Sequence, residues 1–115
     1  RAVLRGARVL QPLVELRANL DDATGEQLAY AAERLLAAGA LDSWAAPIVM
    51  KKGRPAVQLA CLARPEQRDA LAALLLRETP TLGVRWSPVE RLAAGRDRVQ
   101  AATPWGPVHV KRKLL

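Results

Sequence analysis

The residues best suited to chemistry fall in three short stretches. Asn19-Leu20-Asp21-Asp22 places a carboxamide and two carboxylates within four positions. Oxygen donors of this kind hold hard cations such as Mg²⁺ or Mn²⁺. Carboxylates just ahead of a helix also suit its dipole and cap its free N–H groups, so the same residues have a structural use. Lys51-Lys52-Gly53-Arg54 gathers three cations around one glycine, between two apolar runs. The lysines can act as point charges on phosphate, Arg54 offers a flat fork of donors, and a glycine loop exposes backbone N–H groups to an anion. A hairpin tip kept polar against aggregation has the same composition. The third stretch, "ETPTLGVR", holds Thr79, Thr81 and Arg85 after a predicted helix end. Two hydroxyls, a glycine and an arginine can complete a phosphate site, or simply stop a helix and start a strand.

Other chemistries are excluded by what is missing. His109 and Cys61 are the only histidine and cysteine, so one chain cannot build a conventional His/Cys metal site. A lone cysteine forms no internal disulfide and suits a reducing, cytoplasmic setting; within "AVQLACLA" it reads as a buried side chain. There is no P-loop, no GxGxxG and no Ser/His/Asp arrangement. The net charge of +7 favours an anionic partner. The aromatics number four, Tyr30, Trp44, Trp86 and Trp105, and the predicted first and third strands carry none. The stacking platform of an RNA-binding sheet is thus absent, which disfavours nucleic acid.

The elements that position these stretches follow from periodicity. A chain of 115 residues, half hydrophobic and a quarter charged, is one ordinary domain. No apolar run approaches the roughly 18 residues needed to cross a bilayer, and no signal peptide is visible. The chain opens on Arg1 rather than Met, as expected of a piece of something longer. Residues 1–12 read as a linker or lead-in, with 1–9 either linker or a lead-in strand, and the basic residues at both ends as solvated tails. From Leu13 to Leu20 the pattern alternates, with Val14, Leu16, Ala18 and Leu20 on one face: a half-buried strand. Thr24 and Gln27 have capping-box spacing, apolar residues then recur at helical intervals, and Gly39 ends the run, predicting a helix over 25–38. Strands are expected at 42–50 and 56–63, joined by the basic loop. A second helix opens near Pro65 and stops by Glu78, because Pro80 forces Thr79 out of helical geometry. A strand with an edge or bulge at Pro88 follows, then a separate hairpin turning at Pro104-Trp105-Gly106. The order is an α+β, ferredoxin-like βαββαβ arrangement over 13–115, with two helices on one sheet face and a C-terminal β-hairpin. Its other face calls for the hairpin or another subunit as cover.

Taken together, "ANLDDATGEQLAYAAERLLAAGALDSWAAPIVMKKGRP", "RETPTLGVR" and "TPWGPVHVK" resemble the C-terminal domain of the LarC family, over about residues 13–113. LarC is the nickel-insertion protein, or cyclometallase, that completes the nickel-pincer nucleotide cofactor of lactate racemase. The resemblance implies that Ni²⁺ is inserted into a pyridinium bisthiocarboxylate mononucleotide while CTP is cleaved to CMP and pyrophosphate. It further implies that this domain binds CTP with Mg²⁺ or Mn²⁺ and forms a homo-oligomer, a trimer or hexamer. On that footing Lys51, Lys52, Gly53 and Arg54 hold the triphosphate with Thr79, Thr81 and Arg85. Asp21, Asp22 and Asn19 serve its metal. Nickel is left to an N-terminal domain, so the isolated domain binds nucleotide without inserting nickel. The chain departs from the family where a Glu-Thr pair commonly precedes the Asn: Arg17-Ala18 stand here, removing an acid and adding a cation beside the Asp pair. Ala23, Gly25 and Ala56 replace residues commonly Met, Pro and Gly. Two other readings fit the charge and topology: a non-catalytic oligomerisation domain, and a basic nucleic-acid-binding module.

Overall fold

The computed structural model describes residues 3–5, 8–103 and 106–114, with side chains over 9–94. Its elements are β1 (Val3–Arg5), β2 (Arg8–Leu20), α1 (Gly25–Ala37), β3 (Asp42–Met50), β4 (Arg54–Ala63), α2 (Arg68–Glu78), β5 (Arg85–Thr103) and β6 (Gly106–Leu114). They form two compact units, Leu13–Val89 and Arg1–Pro12 with Glu90–Leu115.

In the first unit the strands lie in the order β3-β4-β2-β5, an antiparallel α+β sheet with two helices, as the ferredoxin-like expectation has it. Register sorts each strand into two faces: Leu16 lies opposite Cys61 and Arg17 opposite Ala60, which in turn lies opposite Trp44. Val14, Leu16, Leu20, Leu59, Cys61 and Ala63 join Ala31 and Leu35 of α1 and Leu71, Leu74 and Leu75 of α2 in one apolar cluster. With no Phe in the chain, leucine and alanine fill this core.

The capping box predicted for α1 is present: Thr24 Oγ1 accepts from Gln27 N at 3.1 Å and Gln27 Oε1 accepts from Thr24 N at 2.9 Å. The helix ends at Gly39, whose φ of +110° is strained for any L side chain. A Cβ there would also meet Gln67 Nε2 at 2.5 Å, the group that donates to Gly39 O. Gln67 thereby ties the end of α1 to the turn of 65–67 that leads into α2. Pro65 lies in that 3₁₀ turn, so α2 proper begins at Arg68.

Cys61 is fully buried, and that burial pushes its thiol from 9.0 up to about 11. A proton held more tightly in the folded chain than in the unfolded one makes stability fall as pH rises from about 9 toward 11. The loss is roughly two to three kcal/mol at its end. Urea unfolding of wild type and Cys61→Ala across this range checks it: the variant lacks that component of the alkaline decline.

In the second unit β1 pairs with β2, Val3 opposite Leu10 and Arg5 opposite Arg8. The stretch read as a linker or lead-in therefore contains strand. The leading basic residues Arg5 and Arg8 are strand residues rather than a solvated tail, and so are Lys111–Lys113. The alternation was obscured there by cations at positions that pairing with the neighbouring strand makes extended. The strand expected to end before Gly95 and the first arm of the hairpin are one strand, β5, running Arg85–Thr103. It pairs with β6 from Gly95 opposite Leu114 to Thr103 opposite Gly106. Pro104 and Trp105 of the predicted turn lie outside the described residues. Pro88 sits in β5 where that strand is the edge of the first unit's sheet, a place that tolerates proline. Among the described residues no helix is long and apolar enough to cross a membrane.

Candidate functional site

Sheet order decides where the three chemistry-bearing stretches go. The C-terminal end of β2, the β3–β4 tip and the entry to β5 lie at one end of the first unit's antiparallel sheet. Residues some 30 positions apart in sequence therefore meet. A pocket of about 470 Å³ is lined by Asn19, Leu20, Asp21 and Asp22 from the first stretch, by Met50, and by Pro80–Arg85 from the third. A smaller one of about 110 Å³ is lined by Asp21, Met50, Lys51, Lys52 and Arg54. Asp21 and Met50 line both, so the carboxylate of Asp21 stands where the acidic and basic sides join.

The charges at this junction are arranged with opposite signs side by side. Arg54 Nη1 lies 3.6 Å from Asp21 Oδ2, with the Arg54 side chain 66% exposed and that of Asp21 36%. A pair this open is weak and can be exchanged for a ligand. Among the described residues, neither Lys51 nor Lys52 has a carboxylate partner. The loop between β3 and β4 is tight. Lys52 has φ 63° and ψ 23°, a left-handed conformation uncommon outside glycine, and Gly53 follows at φ 69°. Left-handed backbone at Lys52 and Gly53 closes a tight turn that carries both lysines at its tip. A lysine kept at the strained position rather than a glycine points to a use for its charge.

The remaining predicted residues divide. Arg85 and Thr81 line the larger pocket. Thr81 Oγ1 donates to Gly83 O at 2.8 Å and accepts from Gly83 N at 3.4 Å, bracing the turn between α2 and β5. Thr79 lines neither pocket. It is buried, its hydroxyl donates to Leu75 O at 2.7 Å and accepts from Thr81 N, and it closes the end of α2. Gly53 contributes main chain only. Asn19 Oδ1 accepts from Gln58 Nε2 at 2.9 Å across the β2–β4 pair, which fixes its amide at the pocket wall. Arg17 does not add a cation to the site. It alternates to the open sheet face, where Nη1 meets Glu15 Oε2 at 2.6 Å and donates to Ser87 Oγ. Met50, Leu82 and Val84 line the larger pocket without being singled out by the sequence reading. Met50 was counted only as a strand end, and Leu82, fully exposed on the rim, was passed over between the polar threonines and Gly83. An apolar residue inside a polar turn was the available signal.

Among the described residues no three His, Cys, Asp or Glu groups come together as a metal site. Asp21, Asp22 and Asn19 nevertheless fit a small hard cation that arrives with its own oxygens. Mg²⁺ is usually held by one or two carboxylates plus substrate phosphates rather than by a protein cage.

Comparison with known proteins places the chain in a family. The profile of a family described as nickel insertion protein matches residues 1–114. A relative from Myxococcus xanthus (strain DK1622) is 54% identical over 99 residues, covering 86% of this chain and 25% of its own length. The pyridinium-3,5-bisthiocarboxylic acid mononucleotide nickel insertion protein of Lactiplantibacillus plantarum (strain ATCC BAA-793 / NCIMB 8826 / WCFS1) is 44% identical over 104 residues, 90% of this chain and 25% of its own. Among solved structures, LarC2 in its apo form, the C-terminal domain of a cyclometallase involved in the synthesis of the NPN cofactor of lactate racemase, superposes with a TM-score of 0.85. It is 42% identical, over 92% of this chain and 74% of that one. The chain spans about a quarter of the length of the curated relatives it matches. Matched along nearly its whole length, and sharing the LarC2 fold, the chain belongs to the nickel insertion protein family as a counterpart of the LarC C-terminal domain.

Proposed function

We propose that this chain is the CTP- and divalent-metal-binding domain of a cytoplasmic nickel-insertion enzyme. That enzyme places Ni²⁺ into the pyridinium-3,5-bisthiocarboxylic acid mononucleotide, the compound in the relative's name, and cleaves CTP to CMP and pyrophosphate. Nickel is a substrate here and is handled by the rest of the protein, since soft or imidazole donors are scarce in this chain. The observation that carries the reading is the meeting of Asp21 and Asp22, the Lys51–Arg54 loop and Arg85 at one end of a single sheet.

A metal–triphosphate keeps net negative charge while exposing a cation, so it needs acids on one side and bases on the other. Asp21 and Asp22, with the Asn19 carbonyl, would hold the Mg²⁺ or Mn²⁺, which neutralises phosphate charge when bound. Lys51 and Lys52 bear on the phosphate oxygens as point charges, with the Gly53 N–H beside them. The Arg54 fork exchanges the Asp21 carboxylate for phosphate. Arg85 and Thr81 complete the opposite wall, while Leu20, Met50, Pro80 and Leu82 give apolar surface to the sugar and base. Homo-oligomer formation falls to the open sheet face, where Trp44 is 36% exposed beside Ala60 and Leu62.

Calorimetric titration with CTP, then ATP and GTP, with and without Mn²⁺ or Mg²⁺, tests the reading. Metal-dependent binding selective for CTP is expected. No binding of any nucleotide by a folded, assembled sample would leave an oligomerisation domain and sink the proposal.

A further inference from the structure

The net charge of +7 is carried entirely by one unit. Arg1–Pro12 with Glu90–Leu115 holds nine Lys and Arg against two Asp and Glu, a net of +7; Leu13–Val89 holds nine against nine, a net of zero. Arg5, Arg8, Arg96, Arg98, Lys111, Arg112 and Lys113 occupy fixed register positions, and the register opposes like charges. Arg96 lies opposite Lys113 and Arg98 opposite Lys111, with Asp97 opposite Arg112 between them. Like charges directly opposite destabilise a sheet. By strand alternation Arg96, Arg98, Lys111 and Lys113 share one face of the β5–β6 ribbon. Neighbouring strands stand roughly 4.8 Å apart and same-face residues roughly 6.7 Å apart, so four cations fall within an area of nucleotide size. The next position on that face pairs Gln100 with His109.

We propose that this four-cation patch binds the anionic pyridinium mononucleotide that is to receive nickel. The inference rests on the function proposed above, and charge separates the two ligands. CTP comes with a divalent cation and suits the mixed acids and bases of the neutral unit. The mononucleotide must arrive without metal, because a metal is what it is given. Its phosphate and two thiocarboxylates outweigh its one pyridinium charge and leave a compact polyanion, the complement of a patch with no acid at its four positions. The ribbon tolerates two cation–cation pairs that a ligand of this kind relieves.

Nicotinic acid mononucleotide, with a phosphate, a pyridinium and one carboxylate, serves as the probe. Nicotinamide mononucleotide, which lacks the carboxylate, is its control. Both are titrated calorimetrically into the chain without divalent cation, and into Arg98→Gln/Lys111→Gln and Arg96→Gln/Lys113→Gln. The acid is expected to bind more tightly than the amide and to lose about tenfold or more in each variant, two charge-assisted contacts having gone. Both variants should melt a few degrees higher than wild type, because a like-charge pair is removed. CTP binding in the presence of Mg²⁺ should be unchanged. Equal binding of acid and amide, no binding of either, or undiminished binding in the variants overturns the proposal. So does equal competition by inorganic pyrophosphate, which would mark a surface that holds any anion. A wild-type chain that binds CTP but not the mononucleotide defeats this patch alone, whereas failure of CTP binding in wild type defeats the function on which it rests.

Discussion

Asp21→Asn should move CTP affinity in opposite directions depending on the metal. With Mn²⁺ or Mg²⁺ present, affinity is expected to fall roughly 100-fold or more, since a charged oxygen donor becomes a neutral amide of the same shape. Without metal, affinity should instead rise several-fold. The wild-type carboxylate stands in both pockets, where it repels bare phosphate and competes for Arg54 across 3.6 Å. Removing its charge ends the repulsion and frees the guanidinium. Asp22→Asn should show a loss with metal but less gain without it, because Asp22 lines only the larger pocket. A sign reversal of this kind cannot come from a damaged fold, which would weaken both titrations. Calorimetry of the two variants in metal-containing and chelated buffers checks it; parallel losses in both buffers would remove Asp21 from the metal's surroundings.

The residues that make this prediction possible were visible in the sequence one stretch at a time, while their meeting was not. Alternation from Leu13 to Leu20 and the Thr24/Gln27 box are local signals, and both are in place, because burial on one face and helix capping are decided within a few residues. The coming together of Asp21, Arg54 and Arg85 depends on sheet order, which no local pattern states; in the sequence it was implied only by the family resemblance. The misplacements have particular causes. Thr79 looked like a phosphate ligand because a hydroxyl after a helix suits either role, and its bond to Leu75 O takes the structural one. Arg17 looked like an addition to the site because it is two residues from Asn19. In a strand that spacing sets it beside Asn19 on the open face, where Glu15, two positions the other way, captures it. The lead-in was left open between linker and strand, and the full length of β5 was missed, where like charges sit opposite one another, an arrangement that propensity argues against.

Lys51→Ala combined with Lys52→Gly should lower CTP affinity about 100-fold or more while leaving the protein as stable as before. Each lysine contributes a charge-assisted contact worth roughly tenfold at an exposed site, and removing both compounds the loss. Stability is spared for a separate reason. Lys52 has φ 63°, which costs a non-glycine residue on the order of 1 kcal/mol, and glycine adopts it freely. The extra freedom that glycine has in the unfolded chain offsets part of that relief, so the melting temperature should stay level or rise slightly. Lys52→Ala supplies the contrast: the charge is lost, the strain is kept, and no gain in stability follows. If the loop were only a polar hairpin tip, Lys52→Gly would relax the backbone and change nothing else. A variant that binds CTP with wild-type affinity and melts higher would identify that case. A large loss of affinity in a protein that melts no lower means the strained lysine is held there for the triphosphate.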